Sequence, residues 1–185
     1  MSTALILIDV QESFRQRRYW VEARAQAFLE RTHALIAGCA ARGIPIVRIL
    51  HSDGPASASN PFAIESGFVR PLADLAAFEA AAEFVKHRHS ALVGTGVTVW
   101  LHQNHIHRLI IAGIRTEQCC ETTTRHASDE GFEVDFVAEA TLTFDMQHLD
   151  GAPLPVADIV ARTSAVLKDR FATICTVEQA LDRAV

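Results

Sequence analysis

A chain of 185 residues is long enough to bury one sizeable core and short for two, and 49% hydrophobic against 21% charged residues excludes a disordered or fibrous chain. A formal charge of −5, with basic residues scattered apart from a short cluster at Arg15, Arg17 and Arg18, argues against a nucleic-acid surface. Asp, Arg or His interrupts every apolar run well short of the roughly 20 residues that cross a bilayer, so no membrane-spanning helix is expected.

Ala4 to Ile8 is an apolar run that stops at Asp9, which reads as a first strand buried on both faces. Val21 to Arg42 has Phe28, Leu35 and Ile36 at helical spacing and Gly43 as a stop. Pro45 to Leu50 is the second strand. His51 to Pro71, rich in Ser, Gly, Pro and Asn, has no sustained period and reads as a rim around a site. Leu72 to about Ala82 is predicted helical from its alanine and leucine content, with Glu83 to Lys86 as a short third strand. Thr95 to about Asn104 reads as a helix, because a strand there would leave no crossover before the next one.

Leu109 to Ala112 is a fourth strand ending at Gly113, followed by a helix from about Glu117 to Glu130 that Gly131 terminates. Glu133 to Val137 is the fifth strand. Asp145 to Pro155 is a loop, Val156 to Asp169 a helix, Ala172 to Thr176 a sixth strand, and Val177 to Val185 a closing helix. Apolar strands alternating with amphipathic helices specify a single α/β domain over 1–185. The expected architecture is a three-layer αβα sandwich around a six-stranded, mostly parallel, doubly wound, Rossmann-like sheet. Ligands bind such sheets beyond the carboxyl ends of the strands, and Asp9, Lys86 and the segment Gly113 to Cys119 all follow strand ends.

The first strand starts so close to Met1 that a secretory signal would overlap it, so a cytoplasmic protein is expected. Cys39, Cys119, Cys120 and Cys175 have no framework spacing and are read as free thiols. Gly113-Ile114-Arg115-Thr116-Glu117-Gln118-Cys119 carries the chain from a buried strand into a helix. With Thr116 as N-cap, Cys119 falls at the third helical position, where free amides and the helix dipole favour a thiolate, the more so beside a lysine. Hydrolysis by a thiolate needs a proton carrier, which Asp9 supplies, and oxyanion donors, which the amides around Arg115 and Cys119 supply. Taken singly, each residue has a plainer role: Cys119 as helix packing, Asp9 as a loop cap, Lys86 as a solvated surface group.

Three ordered motifs stand out: Leu7-Ile8-Asp9-Val10-Gln11-Glu12-Ser13-Phe14, Lys86-His87-Arg88-His89-Ser90-Ala91-Leu92 with Gly94-Thr95, and Gly113 to Cys119 continuing through Cys120-Glu121-Thr122-Thr123. Together they resemble the isochorismatase-like cysteine hydrolases. Ala127, Gly131 and Ala138 to Thr141 stay in register. The resemblance implies a triad of Asp9 as proton acceptor and donor, Lys86 as electrostatic partner and Cys119 as nucleophile. It also implies an oxyanion hole at Ile114, Arg115 and Cys119 with a non-proline cis peptide between Ile114 and Arg115, and a homo-oligomer. Members that hydrolyse nicotinamide carry an Asp-x-His metal cluster after the second strand. Here the order is His51-Ser52-Asp53, which disfavours a metal-dependent nicotinamidase, and neither a metal nor a cofactor is expected. Members that hydrolyse the vinyl ether of isochorismate lack the cysteine, so Cys119 favours a small carboxamide, N-carbamoyl or related acyl substrate.

Phe14, Trp20, His51 and Arg115 are predicted to line the substrate pocket, because they sit on segments after strand ends. Cys120 reads as packing, with a vicinal redox pair as the alternative, and His102, His105 and His107 as a surface turn rather than a metal site. His126, seven residues past Cys119, is too far along a helix to act as its base. The competing functions are a vinyl ether hydrolase, a non-catalytic binding protein of the same fold, and a thiol redox protein using Cys119 and Cys120. The expected partner is a small-molecule substrate, with no nucleic acid and no membrane.

Overall fold

In the computed structural model, which describes residues 2–184, the sheet strands are β1 (Thr3–Ile8), β2 (Ile46–His51), β3 (Ala82–Lys86), β4 (Arg108–Ile114), β5 (Glu133–Leu142) and β8 (Thr173–Cys175). The strands β6 (Met146–Gln147) and β7 (Pro153–Leu154) form a small antiparallel hairpin inside the stretch expected to be a loop. The large sheet has the order β3-β2-β1-β4-β5-β8, and every neighbouring pair is parallel. The chain lays β2 and β3 on one side of β1 and then returns to place β4 on the other. The order therefore reverses between β1 and β4, and a crevice opens there at the carboxyl ends.

Alternation along the buried strands sorts the core into two layers. Leu5 and Leu7 of β1 join the helices α2 (Glu22–Ala41) and α6 (Val177–Arg183), while Ala4, Ile6 and Ile8 face α3 (Val97–Gln103), α4 (Glu121–Asp129) and the end of α5 (Val156–Leu167). A one-turn helix not anticipated from the sequence, α1 (Glu12–Arg15), follows β1. Among the described residues no helix is long and apolar enough to cross a membrane. The predicted end of the closing helix, Val185, lies outside the described residues.

The helix expected over 72–82 does not form. Its backbone amides are taken by distant acceptors: Leu72 donates to the Val10 carbonyl (3.1 Å), Ala73 to Glu12 Oε1 (2.7 Å), Ala76 to His33 Nε2 (3.0 Å) and Ala81 to the Ile46 carbonyl (2.9 Å). Tertiary partners override local helix propensity. The strand expected to end at Val137 runs to Leu142, past an irregularity in its pairing with β4.

Gly113 fixes how closely β4 approaches β1. It pairs with Ile8, has φ 133°, and a Cβ there would stand 1.9 Å from the Ile8 carbonyl oxygen. No side chain fits without moving backbone that Asp9 and Cys119 both depend on. Gly113→Ala is expected to cost about 3 kcal/mol from combined overpacking and backbone strain. Urea denaturation measures the loss; an unchanged midpoint would show that the two strands separate freely.

Candidate active site

Four of the six sheet strands deliver a polar side chain to the crevice. Asp9 follows β1 in the left-handed region (φ 54°), a conformation in which Asp is among the better tolerated residues, with its amide donating to the Ile49 carbonyl at 2.8 Å. His51 ends β2. Gln11 clamps its backbone on both sides, with Oε1 accepting from the His51 amide (2.7 Å) and Nε2 donating to the His51 carbonyl (2.9 Å). Lys86 ends β3 and is fully buried, as is Asp9.

Cys119 follows β4, but through a different turn from the Thr116-capped helix expected. The chain enters a π-helical turn over Thr116–Cys120 before α4, and its N-cap is Arg115, with no side-chain capping bond. Thr116 Oγ1 instead donates to Thr141 Oγ1 on the extension of β5 (2.8 Å), so Cys119 is the fourth residue of the turn rather than the third. The Arg115 carbonyl accepts from the amides of Gln118 (3.3 Å) and Cys120 (3.1 Å), passing over that of Cys119. The Ile114–Arg115 peptide is cis.

These elements converge on the Lys86 ammonium. Its Nζ lies 2.8 Å from Asp9 Oδ2, 2.8 Å from His51 Nδ1, 3.1 Å from the Arg88 carbonyl and 3.3 Å from Cys119 Sγ. The contact with Asp9 has ion-pair distance but lies off the line of a hydrogen bond, so both oxygens of this buried carboxylate lack a well-aligned donor. The Cys119 thiol lies within hydrogen-bonding reach of the same carboxylate. A buried carboxylate whose oxygens lack an aligned donor is uncommon, and here both the Lys86 ammonium and the Cys119 thiol lie within its reach.

Burial pushes the Asp9 carboxyl above its ordinary range against the pull of Lys86. Burial would discharge Lys86, but the neighbouring Asp9 carboxylate outweighs it and holds the ammonium above its usual range. Burial, then the charge of Asp9, pushes the Cys119 thiol up to about 12. Burial and the Asp9 charge therefore favour a neutral Cys119 thiol beside a strengthened base, against the thiolate that the helix dipole alone leads one to expect.

His51 is held down to about 4 by burial first and then by Lys86. Since Lys86 donates to Nδ1, the imidazole proton sits on Nε2, 3.8 Å from Asp53 Oδ2. This depressed pKa gives a pH dependence of stability. The unfolded chain takes up a proton near pH 6.5 that the folded chain refuses until about pH 4, so stability falls as pH drops through that window. The slope from this group is at most about 1.4 kcal/mol per pH unit. His51→Asn is expected to flatten it, as denaturation midpoints between those pH values would show; an unaltered slope would place the titrating group elsewhere.

A cavity of about 350 Å³ opens above this cluster, and Asp9, Phe14, His51, Arg115 and Cys119 all contribute to its wall. Trp20 does not. Its indole donates to Glu22 Oε2 (2.8 Å) and its ring packs 6.0 Å from Phe144, while the preceding residue, Tyr19, lines the cavity in its place. The expected rim contributes Asp53, Gly54, Pro55, Asn60 and Phe62, and Arg17, His89 and Gln118, not expected from the sequence, also line the wall. His126 binds Ser90 Oγ through Nδ1 (2.9 Å), tying the segment after Lys86 to α4. Cys120 is fully buried.

Comparison with known proteins gives a consistent picture. The isochorismatase domain matches residues 3–179. The isochorismatase family protein YrdC of Bacillus subtilis is 30% identical over 184 residues, covering 97% of this chain and 94% of its own. Among solved structures, a cysteine hydrolase from Pseudomonas syringae pv. phaseolicola superposes with a TM-score of 0.87 at 19% identity, covering 99% of this chain and 92% of its own. The N-carbamoylsarcosine amidase of Thermoplasma acidophilum does so with a TM-score of 0.74 at 16% identity, covering 96% and 98% respectively.

Proposed function

Because the chain belongs to the isochorismatase family of hydrolases, we propose that it is a metal-independent cysteine hydrolase cleaving the C–N bond of a small carboxamide, N-carbamoyl or related acyl substrate. The observation that carries this reading is the buried Asp9 carboxylate, with no aligned donor, beside the Cys119 thiol and the Lys86 ammonium. That arrangement supplies nucleophile, base and charge partner from the chain itself. The amidase likeness is one of fold, and supports the C–N class at that level.

In the proposed sequence Asp9 accepts the thiol proton as Sγ attacks the carbonyl carbon, and Lys86 keeps the developing negative charge beside an ammonium. The oxyanion is held by the amides of Arg115 and Cys119. Collapse breaks the C–N bond while Asp9 returns the proton to the departing nitrogen, leaving a thioester on Cys119. Asp9 then deprotonates water, which attacks the thioester. The acid departs and the thiol regains its proton.

The test is a screen of small amides and N-carbamoyl compounds with intact-mass detection of the protein during turnover. A substrate-dependent mass increase mapped to Cys119 is expected. Turnover without any such increase at Cys119, or a Cys119→Ala variant that turns over normally, ends this reading.

A further inference from the structure

Lys86 stands at the end of an edge strand. In the large sheet β3 pairs only with β2, and its last register pair is Lys86 with His51. Both β2 and β1 separate it from β4, which Cys119 follows, so sheet pairing alone leaves slack between the ammonium and the sulfur. A second connection runs outside the sheet. The chain after Lys86 turns back to its own side chain, where the Arg88 carbonyl accepts from Nζ at 3.1 Å, and then docks on α4.

Two side chains of α4 receive it. Thr123 Oγ1 accepts from the Ala91 amide at 2.9 Å, and His126 Nδ1 lies 2.9 Å from Ser90 Oγ. Thr123 and His126 follow Cys119 by four and seven residues, the spacing that puts side chains on one helical face. Ala91, Leu92, Cys119 and Ala127 share one core cluster beneath them. His126 Nε2 is 3.2 Å from Glu130 Oε1, and Glu130 Oε2 accepts from Thr98 at 3.0 Å, so the imidazole proton sits on Nε2 and Nδ1 accepts from the Ser90 hydroxyl. Ser90 Oγ in turn accepts from the Leu92 amide at 3.2 Å. Serine, histidine and glutamate in a row have the composition of an acyl-transfer triad. Ser90, however, is 3% exposed and its hydroxyl is engaged as both donor and acceptor, which makes it a tie and not a nucleophile.

We infer that Ser90, Thr123 and His126 are positioning residues: they buckle the segment after Lys86 to the helix that continues from Cys119, and so hold the ammonium 3.3 Å from the sulfur. This rests on the reading of Lys86 and Cys119 as partners in hydrolysis and adds what keeps them together. None of the three is among the described residues that line the cavity, so they act through Lys86 and Cys119 and not on the substrate. A displacement of about 1 Å at a reacting group is enough to cost on the order of 10²-fold in rate.

Iodoacetamide alkylation of Cys119, followed by peptide mass against pH, tests the buckle without a substrate. Lys86 favours the thiolate, so an ammonium that drifts from the sulfur slows alkylation. In His126→Asn the amide oxygen falls near the place of Nδ1 and can accept from Ser90, whereas His126→Gln offers a polar atom only near the place of Nε2. The imidazole is 33% exposed, so both variants are expected to fold, which circular dichroism checks. His126→Gln and Ser90→Ala are each expected to slow alkylation about threefold or more near neutral pH, equal to a rise of about half a pH unit in the thiol titration. The double variant is expected to be no slower than the slower single one, since both remove the same contact, and His126→Asn to keep most of the wild-type rate. Alkylation at the wild-type rate in His126→Gln, an equal slowing in His126→Asn, or effects of Ser90→Ala and His126→Gln that multiply in the double variant would overturn the inference. The thiol readout is independent of the amide screen. A slowed thiol in a protein that turns over no amide would keep the buckle and remove the hydrolase reading; turnover with an indifferent thiol would do the reverse.

Discussion

Replacing Asp9 with Asn is expected to make the Cys119 thiol more acidic while removing turnover. The negative charge of Asp9 is, after burial itself, the largest influence holding the thiol up near 12, and it also occupies Lys86. Without that charge the ammonium, 3.3 Å from Sγ, has the sulfur as its nearest anionic partner, and the thiolate becomes easier to form. Asparagine suits the substitution because it tolerates the left-handed backbone at this position. Turnover nonetheless falls by about 10²- to 10⁴-fold, since no group remains to carry the proton to the leaving nitrogen or to activate water. Cys119→Ala, which removes the nucleophile, is expected to lose on the order of 10⁴-fold or more. Alkylation by iodoacetamide followed against pH gives the thiol titration in wild type and Asp9→Asn, and steady-state rates give turnover. A thiol that becomes less reactive in Asp9→Asn, or a variant that keeps its turnover, would show that Asp9 is not the base.

The contrast also explains what the sequence made visible and what it did not. A buried apolar run ending in Asp9, and a strand feeding through Gly113 towards Cys119, put chemistry at strand ends, and strand ends can be read from hydropathy alone. Lys86 was placed after a strand, but the sequence carries no sign that its side chain is fully buried against Asp9, because that depends on the parallel order β3-β2-β1-β4. The upward shift of the Cys119 thiol is not legible in the sequence for the same reason. A helix dipole is a local property, while desolvation and the Asp9 carboxylate that follows β1 are tertiary and push the thiol up.

Two further differences arise where tertiary partners outbid local preference. Thr116 looks like an N-cap until Thr141 arrives on a strand that runs five residues beyond its expected end. The alanine-rich stretch after Leu72 has high helix propensity, yet its amides meet carbonyls and side chains from β2, α2 and the segment after β1. The exchange of Trp20 for Tyr19 in the cavity is a matter of one residue in a tight loop, where no period exists to say which side chain turns inward. His51 was named for its position, but its contact with Lys86 Nζ follows from adjacent strand ends, His51 pairing with Lys86 in register.

The same burial that prepares the chemistry makes the fold depend on the Asp9–Lys86 pair. Lys86→Met is expected to destabilise the protein by about 3–5 kcal/mol, because a fully buried carboxylate loses its counter-charge. It also removes the donor to His51 Nδ1 and to the Arg88 carbonyl. Combining it with Asp9→Asn removes the stranded charge and should recover a large part of the loss, although neither the single nor the double variant turns over substrate. A destabilisation in the single variant that the double variant does not relieve would mean that Lys86 acts through packing of its stem rather than through its charge. Recovery of stability without recovery of turnover is the signature of a pair retained for its chemistry. A neutral, well-packed pair would serve the fold alone as well or better, and under the proposed mechanism the desolvation of these two charges at the sheet's switch point is explained by the proton that Asp9 accepts and returns.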